Sequence, residues 1–279
     1  MSESFVVMTA NLAGPKGYGF PKREHVAQRV FTDCPADVVG FQECTPYSWG
    51  AIERASLELI ETHVLMQEFA GLKEETYFNP IAYNPNRFEV IGHGTDWLSS
   101  ANKPEPDWCA KTIRAVSYAL LQEHETGKKL FVVNTQLDNA SVCARKRSIE
   151  EVILPLVDDY EEHHGPGLPT VFLGDANVSI ASPNPRWGEQ EMKRPYELLE
   201  DHAFTDAWLT TKPARLLRPR TFHHYQGHTC GDDEWGTYDP DWIFVRNLTV
   251  ENCTPVEDNY GGVWPSDHYW GLAFLQWKE

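Results

Sequence analysis

Asp175 and Asn177 stand two residues apart at the end of an apolar run, Thr170–Asn177, that reads Thr-Val-Phe-Leu-Gly-Asp-Ala-Asn. Strand side chains repeat direction every second position, so this spacing delivers an acid and an amide to one side of a sheet edge. That pair suits a metal-bound phosphate. Gly, Asp and Asn are also ordinary turn formers, and alone the stretch reads as a strand running into a turn. Asn11, the pair Gln42-Glu43, and Asn134 with Gln136 close other strand-like runs, Asp241 opens one, and Asp267-His268 precede the last. Each has an ordinary reading as a turn former, helix-cap partner or loop residue. Gathered on one rim they make a set of mostly oxygen donors, which hard cations such as Mg2+ or Mn2+ prefer, whereas zinc favours more His and Cys.

Stepping along the chain, strands are expected at Ser4–Thr9, Asp37–Phe41, His63–Phe69, Ala115–Leu121, Leu130–Thr135, Trp242–Val245, Leu248–Val250 and Tyr269–Gln276. Ile81–Tyr83 and Phe88–Ile91 read as a hairpin around Asn84-Pro85-Asn86. Helices are expected at Lys22–Phe31, where Val26 and Val30 share a face, at Pro46–Ile60, and at Tyr196–Glu200. Ser141–Glu162 is the longest helical stretch, and Pro155 predicts a kink or break in it. Phe204–Leu209 reads as a strand or a turn. Paired strands with helices between them fit two packed sheets with helices outside, as one domain over residues 1–279.

Composition narrows the partners. Lys and Arg number 24 against 41 Asp and Glu, a formal charge of −17. That balance opposes general affinity for a nucleic-acid backbone and makes duplex DNA an unfavoured partner, although a locally positive or metal-charged site stays compatible with it. It also disfavours a polybasic membrane contact. The start, Met-Ser-Glu-Ser-Phe-Val-Val, lacks the basic and apolar regions of a signal peptide, and no apolar run approaches a membrane span. The six Cys are scattered, with no Cys-x-x-Cys pair, which favours thiols in a reducing cytoplasm.

Taken in order, Asn11, Gln42-Glu43, Gly174-Asp175-Ala176-Asn177, Asp241-Trp242-Ile243-Phe244-Val245 and Ser266-Asp267-His268 resemble the endonuclease/exonuclease/phosphatase superfamily, the pancreatic deoxyribonuclease-like fold. Asn79-Pro80-Ile81-Ala82-Tyr83, Arg87-Phe88, Trp97-Leu98-Ser99, Asn134-Thr135-Gln136-Leu137-Asp138-Asn139 with Ala144-Arg145, and Thr221-Phe222-His223 are similar to a subgroup of metal-dependent hydrolases within it. The resemblance spans nearly the whole chain. It implies a four-layer α/β/β/α sandwich of two packed mixed sheets, and magnesium-assisted hydrolysis of a phosphate ester at one rim. It implies Glu43 as principal metal ligand with Asn11 and Asp267 beside it. Asp175 and Asn177 would hold the nucleophilic water and a phosphate oxygen. His268 would act as general base or phosphate contact, oriented by Asp241. Arg114 and Asn134 would stand on the substrate side; Arg114 reads equally well as a surface salt-bridge residue.

The chain departs from the pattern at two linked places. Gln136 stands where the family usually has His, and Tyr77 where it usually has Glu, with Glu75 close by. Gln136 can donate a hydrogen bond to phosphate but cannot carry a proton. Two functions from different classes follow: a phosphoesterase suited to a good leaving group, acting on a small phosphate ester or single-stranded nucleic acid, or a catalytically weak phosphate-binding or protein-interaction module. His223, His224 and His228, near Asp232 and Asp233, read as a substrate-facing or a solvated loop. Trp187, Trp235 and Trp264 read as stacking platforms or as packing.

Overall fold

The two ends of the chain meet in one sheet, where the first strand, β1 (Ser4–Asn11), pairs antiparallel with the last, β12 (Trp270–Trp277). The computed structural model describes residues 4–14, 19–55, 60–61, 78–179, 189–210, 218–229 and 239–278. The expected strand His63–Phe69, together with Tyr77, Glu75, Asp232, Asp233, Trp187 and Trp235, lies outside the described residues.

The first sheet runs β11-β12-β1-β2-β4-β3, with β2 at Val38–Gln42, β3 at Ile60–Glu61, β4 at Ile81–Tyr83 and β11 at Leu248–Val256. The second runs β5-β6-β7-β8-β10-β9, with β5 at Phe88–Trp97, β6 at Ala115–Glu123, β7 at Lys129–Gln136, β8 at Thr170–Asp175, β9 at Thr205–Asp206 and β10 at Asp241–Arg246. Each sheet is mixed, because β1 and β2 run parallel, as do β7 and β8, while their neighbours run antiparallel.

Three apolar layers separate four structural layers. Phe5, Val7, Leu121, Val132, Leu173 and Ile243 pack between the sheets. Helix α1 (Phe20–Asp33) and helix α2 (Pro46–Ala55) cover the outside of the first sheet, where Phe31 stacks on Trp270 with centroids 4.6 Å apart. The outside of the second sheet carries α3 (Val142–Arg147), a π-helical stretch (Ser148–Ile153), α4 (Leu154–His164) and α5 (Glu189–Asp201). A short helix, α6 (Ala207–Thr210), follows β9. The break expected at Pro155 appears as that π-helical stretch. Proline brings no N–H, and the Leu154 N–H reaches back to the Ile149 carbonyl.

One pairing differs from the sequence reading. Ile81–Tyr83 and Phe88–Ile91 do not form a hairpin: β4 pairs with β2 and β3, and β5 pairs with β6 in the other sheet. The turn between them is a crossover. Arg87 fastens it, donating to the Ser4 carbonyl at 2.8 Å and pairing with Asp37 at 3.3 Å on one sheet and with Glu123 at 2.8 Å on the other.

Candidate active site

The parallel pair at the centre of each sheet ends on the same rim. In the first sheet Asn11 stands in register with Gln42. In the second, Gln136 stands beside Asp175, and Asp175 beside Asp241. Three polar strand ends therefore line up across one sheet and face two from the other. Ligand crevices form outside the carboxyl ends of parallel strands for this reason.

Hydrogen bonds close the gap between the sheets. Asn11 Nδ2 donates to Asp175 Oδ2 at 3.0 Å, and Gln136 Nε2 donates to the same oxygen at 3.0 Å and to Glu43 Oε1 at 2.8 Å. Arg114 donates to the Gln136 side-chain oxygen. Sheet ends thus bring Asn11, Glu43, Gln136, Asp175 and Arg114 into one connected group. Three residues around it, Ala13, Glu43 and Asn177, adopt left-handed backbone with φ of 53°, 52° and 50°. Such conformations cost about 1–3 kcal/mol each and persist where the surroundings over-determine them. Asn177 is turned so that its N–H donates to Asp175 Oδ1 at 2.9 Å and its amide to the Leu137 carbonyl at 2.9 Å.

A second group adjoins the first. Asp241 Oδ2 lies 2.8 Å from His268 Nδ1, and His268 Nε2 lies 3.9 Å from Asp267 Oδ1. A strap at Thr221–His223 holds this group in place. His223 N–H donates to the Asp267 carbonyl, Tyr269 N–H to the Thr221 carbonyl, and Asp241 N–H to Thr221 Oγ1 at 3.3 Å.

Burial makes the electrostatics strong. Loss of solvent pushes the Asp175 carboxyl up to about 6, and Asp241 adds to this, while His268, the Gln136 amide and the Asn177 N–H pull it back. Burial by itself would lower His268. The adjacent Asp241, by charge and hydrogen bond, with Asp267 and Asp175 behind it, instead raises the imidazole to about 10. The site therefore pairs a carboxyl less acidic than usual with an imidazole that holds its proton at neutral pH.

Asn134 does not reach a substrate. It has no exposed surface, and its amide nitrogen donates to the carbonyls of Phe41, Asn79 and Pro80 at 2.8, 3.0 and 3.0 Å. Its oxygen accepts from Gln42 Nε2 at 2.7 Å. It is a tie between the sheets, and Gly40 makes room for it, since a Cβ there would stand 2.7 Å from the Asn134 oxygen. Tyr77, the other expected substrate contact, lies outside the described residues.

Of the three histidines, His223 is fully buried rather than solvated. It stacks on Tyr269 at 4.1 Å, accepts from the Gly227 N–H at 3.1 Å, and is driven by burial down to about 3, so it stays neutral. His224 and His228 are exposed. Trp264 packs against His223 and Tyr269. One site neighbour escaped the sequence reading: Arg23, on the buried face of α1 with Val26, Ala27 and Val30. A cation placed on an apolar stripe was the signal available.

The donor set bears on the expected metal. Among the described residues, no group of three or more His, Cys, Asp or Glu side chains could hold a metal ion. Magnesium does not need such a cage. It binds through one or two carboxylates and keeps waters or substrate phosphate as its other ligands. Glu43, Asn11 and Asp267 carry two carboxylates and an amide oxygen, which are the donor types of that mode.

Comparison with known proteins bears on the family and the fold. The sequence profile described as "Endonuclease/Exonuclease/phosphatase family" matches residues 8–268. No curated protein matches the chain. Among solved structures, an endonuclease/exonuclease/phosphatase from Bacteroides vulgatus superposes with a TM-score of 0.79 at 23% identity, covering 99% of each chain. A mannosyl-6-phosphatase from Bacteroides thetaiotaomicron gives 0.77 at 21% identity, covering 97% of this chain and 99% of that one. TDP2 of D. rerio, complexed with a single-strand DNA product, gives 0.73 at 14% identity, covering 99% and 100%. At these identities the superpositions show a shared fold.

Proposed function

Because this chain belongs to the endonuclease/exonuclease/phosphatase family, we propose that it is a single-domain, metal-dependent hydrolase of phosphate esters. The observation that carries the reading is the paired arrangement at the rim. Asp241 and His268, 2.8 Å apart, stand beside Asp175, which Asn11 of the other sheet holds at 3.0 Å.

Magnesium or manganese held by Glu43, Asn11 and Asp267 would supply positive charge to a phosphoryl oxygen and to the leaving oxygen. Asp175, raised to about 6, is suited to orient the attacking water and take its proton near neutral pH. Asn177 fixes Asp175 through its backbone N–H. His268, held protonated by Asp241, donates from Nε2 to a phosphate oxygen. Arg114, anchored on Gln136, adds a second cation for the phosphate.

Gln136 offers no transferable proton, so the leaving group must be a good one or find its proton elsewhere. This substitution is also what favours the second reading, a phosphate-binding or protein-interaction module. The net charge of −17 points to small phosphate esters or single-stranded nucleic acid over duplex DNA. The similar structures include a mannosyl-6-phosphatase and TDP2 complexed with a single-strand DNA product. Among the described residues no helix is long and apolar enough to cross a membrane. The scattered cysteines, with no Cys-x-x-Cys pair, favour a reducing, cytoplasmic location.

The purified protein is assayed on bis-p-nitrophenyl phosphate and natural phosphoesters with Mg2+ or Mn2+. Wild type is expected to turn over, with Glu43→Ala and His268→Ala lower by about 10²-fold or more. Equal background rates for all three across the panel would sink the enzyme reading and leave the binding module.

A further inference from the structure

Arg23 carries a charge where α1 otherwise presents apolar residues, and its side chain is 2% exposed. Burying a guanidinium is costly unless its donors are spent on good acceptors. Here they reach both ends of the chain. One terminal nitrogen donates to the Pro265 carbonyl. The other donates to the carbonyls of Leu12 at 3.0 Å and Ala13 at 3.2 Å. The rings of Phe20 and Tyr225 lie 5.2 and 5.3 Å from its central carbon. Leu12 follows Asn11 directly, and Pro265 precedes Asp267 by two residues.

The Leu12–Ala13 turn needs such a clamp. Ala13 sits in the left-handed region with φ 53°, a conformation unfavourable for a residue with a Cβ. Its N–H donates to Asn11 Oδ1 at 2.8 Å, so the turn also fixes the Asn11 side chain. Burial pulls the pKa of Arg23 down, while the charges of Tyr225, Asp267 and Glu43 hold it up, and the last two are both carboxylates read as metal-holding.

We propose that Arg23 is a positioning residue that holds the Asn11 turn and the Asp267 loop in one geometry before any metal arrives. This rests on the reading of Glu43, Asn11 and Asp267 as the metal-holding set. Arg23 does not itself touch the metal or the phosphate; it acts through backbone carbonyls on both sides of the site. Its fork spans three carbonyls, which a lysine ammonium cannot match in shape.

Two effects of removing it oppose each other. Taking away a cation beside two carboxylates favours metal binding, while releasing the two loops disfavours it. Supporting residues of this kind are typically worth about 10–100-fold in metal affinity, and the loss of the clamp is expected to win. The test is calorimetric titration of Mn2+ into metal-free wild type, Arg23→Met and Arg23→Lys, each held below its own unfolding temperature. The expected result is binding weakened about 10-fold or more in both variants. If Arg23→Met does not fold, Arg23→Lys carries the comparison. A folded variant that melts earlier yet binds Mn2+ as tightly as wild type, or more tightly, overturns the proposal. Wild type that binds no Mn2+ overturns the metal reading and this proposal with it, whereas a binding wild type with unchanged variants overturns this proposal alone.

Discussion

Asn11 on β1 donates to Asp175 on β8 at 3.0 Å, across the interface between the two sheets, and both side chains are buried. This bond joins the end of β1 to the end of β8 across the rim. Asn11→Ala leaves Asp175 with one donor fewer in a dry setting. Loss of a buried partner costs about 1–3 kcal/mol, so the variant is expected to unfold at lower denaturant, with turnover falling more than stability explains. Chemical denaturation and steady-state rates on the folded fraction check both. Wild-type turnover in a destabilised Asn11→Ala would separate the bond from catalysis.

The His268–Asp241 pair gives a pH signature. His268 is raised to about 10 in the folded protein from its ordinary 6.5, so folding tightens its hold on the proton. Its contribution to stability is fully present below about pH 6.5 and is lost as pH rises through about 10. The melting-temperature advantage of wild type over His268→Gln is expected to shrink over that interval, measured without metal. An advantage that grows with pH contradicts the assignment.

The rate should follow the same groups. Asp175, raised to about 6, must lose its proton to accept one from water, so kcat/KM is expected to rise through that region. Asp241→Asn removes the main support of the His268 charge and should move the alkaline fall to lower pH. An alkaline limb unmoved by Asp241→Asn would take His268 out of the profile.

Gln136 holds Arg114 with its oxygen and two carboxylates with its nitrogen, yet offers no proton. Gln136→His is expected to raise turnover on poor leaving groups more than on good ones, by up to about 10²-fold. Rates on alkyl and aryl phosphodiesters compared side by side give the answer. An equal change on both removes the leaving-group explanation.

Asn134 makes the contrasting case. Its replacement by Ala strips donors from three buried carbonyls and is expected to cost about 1–3 kcal/mol of stability while leaving KM on the folded protein unchanged. A raised KM at full folding would return it to the substrate side.

These cases mark how far the sequence is readable. The ends of β1, β2, β7 and β8 and the start of β10 were legible because an apolar run bounded by Asn, Gln, Glu or Asp is a local pattern. Which sheet a strand joins is not local. The Asn84-Pro85-Asn86 turn looks the same in a hairpin as in a crossover, and only Arg87, reaching Ser4, Asp37 and Glu123, settles it. Asn134 follows the motif at a strand end, but the close approach of Gly40 turns it inward. Arg23 was visible as a charge on an apolar stripe, whereas its acceptors are carbonyls at the two ends of the chain.

Glu43, Asn11 and Asp267 are expected to hold a divalent cation at the rim beside Asp175 and His268. Diffraction from crystals soaked in Mn2+ and phosphate tests it in one step. The anomalous peak is expected about 2.0–2.3 Å from a Glu43 oxygen, with Asn11 and Asp267 as its other protein neighbours and phosphate oxygen completing the shell. A peak away from all three, or none at saturating Mn2+, contradicts it.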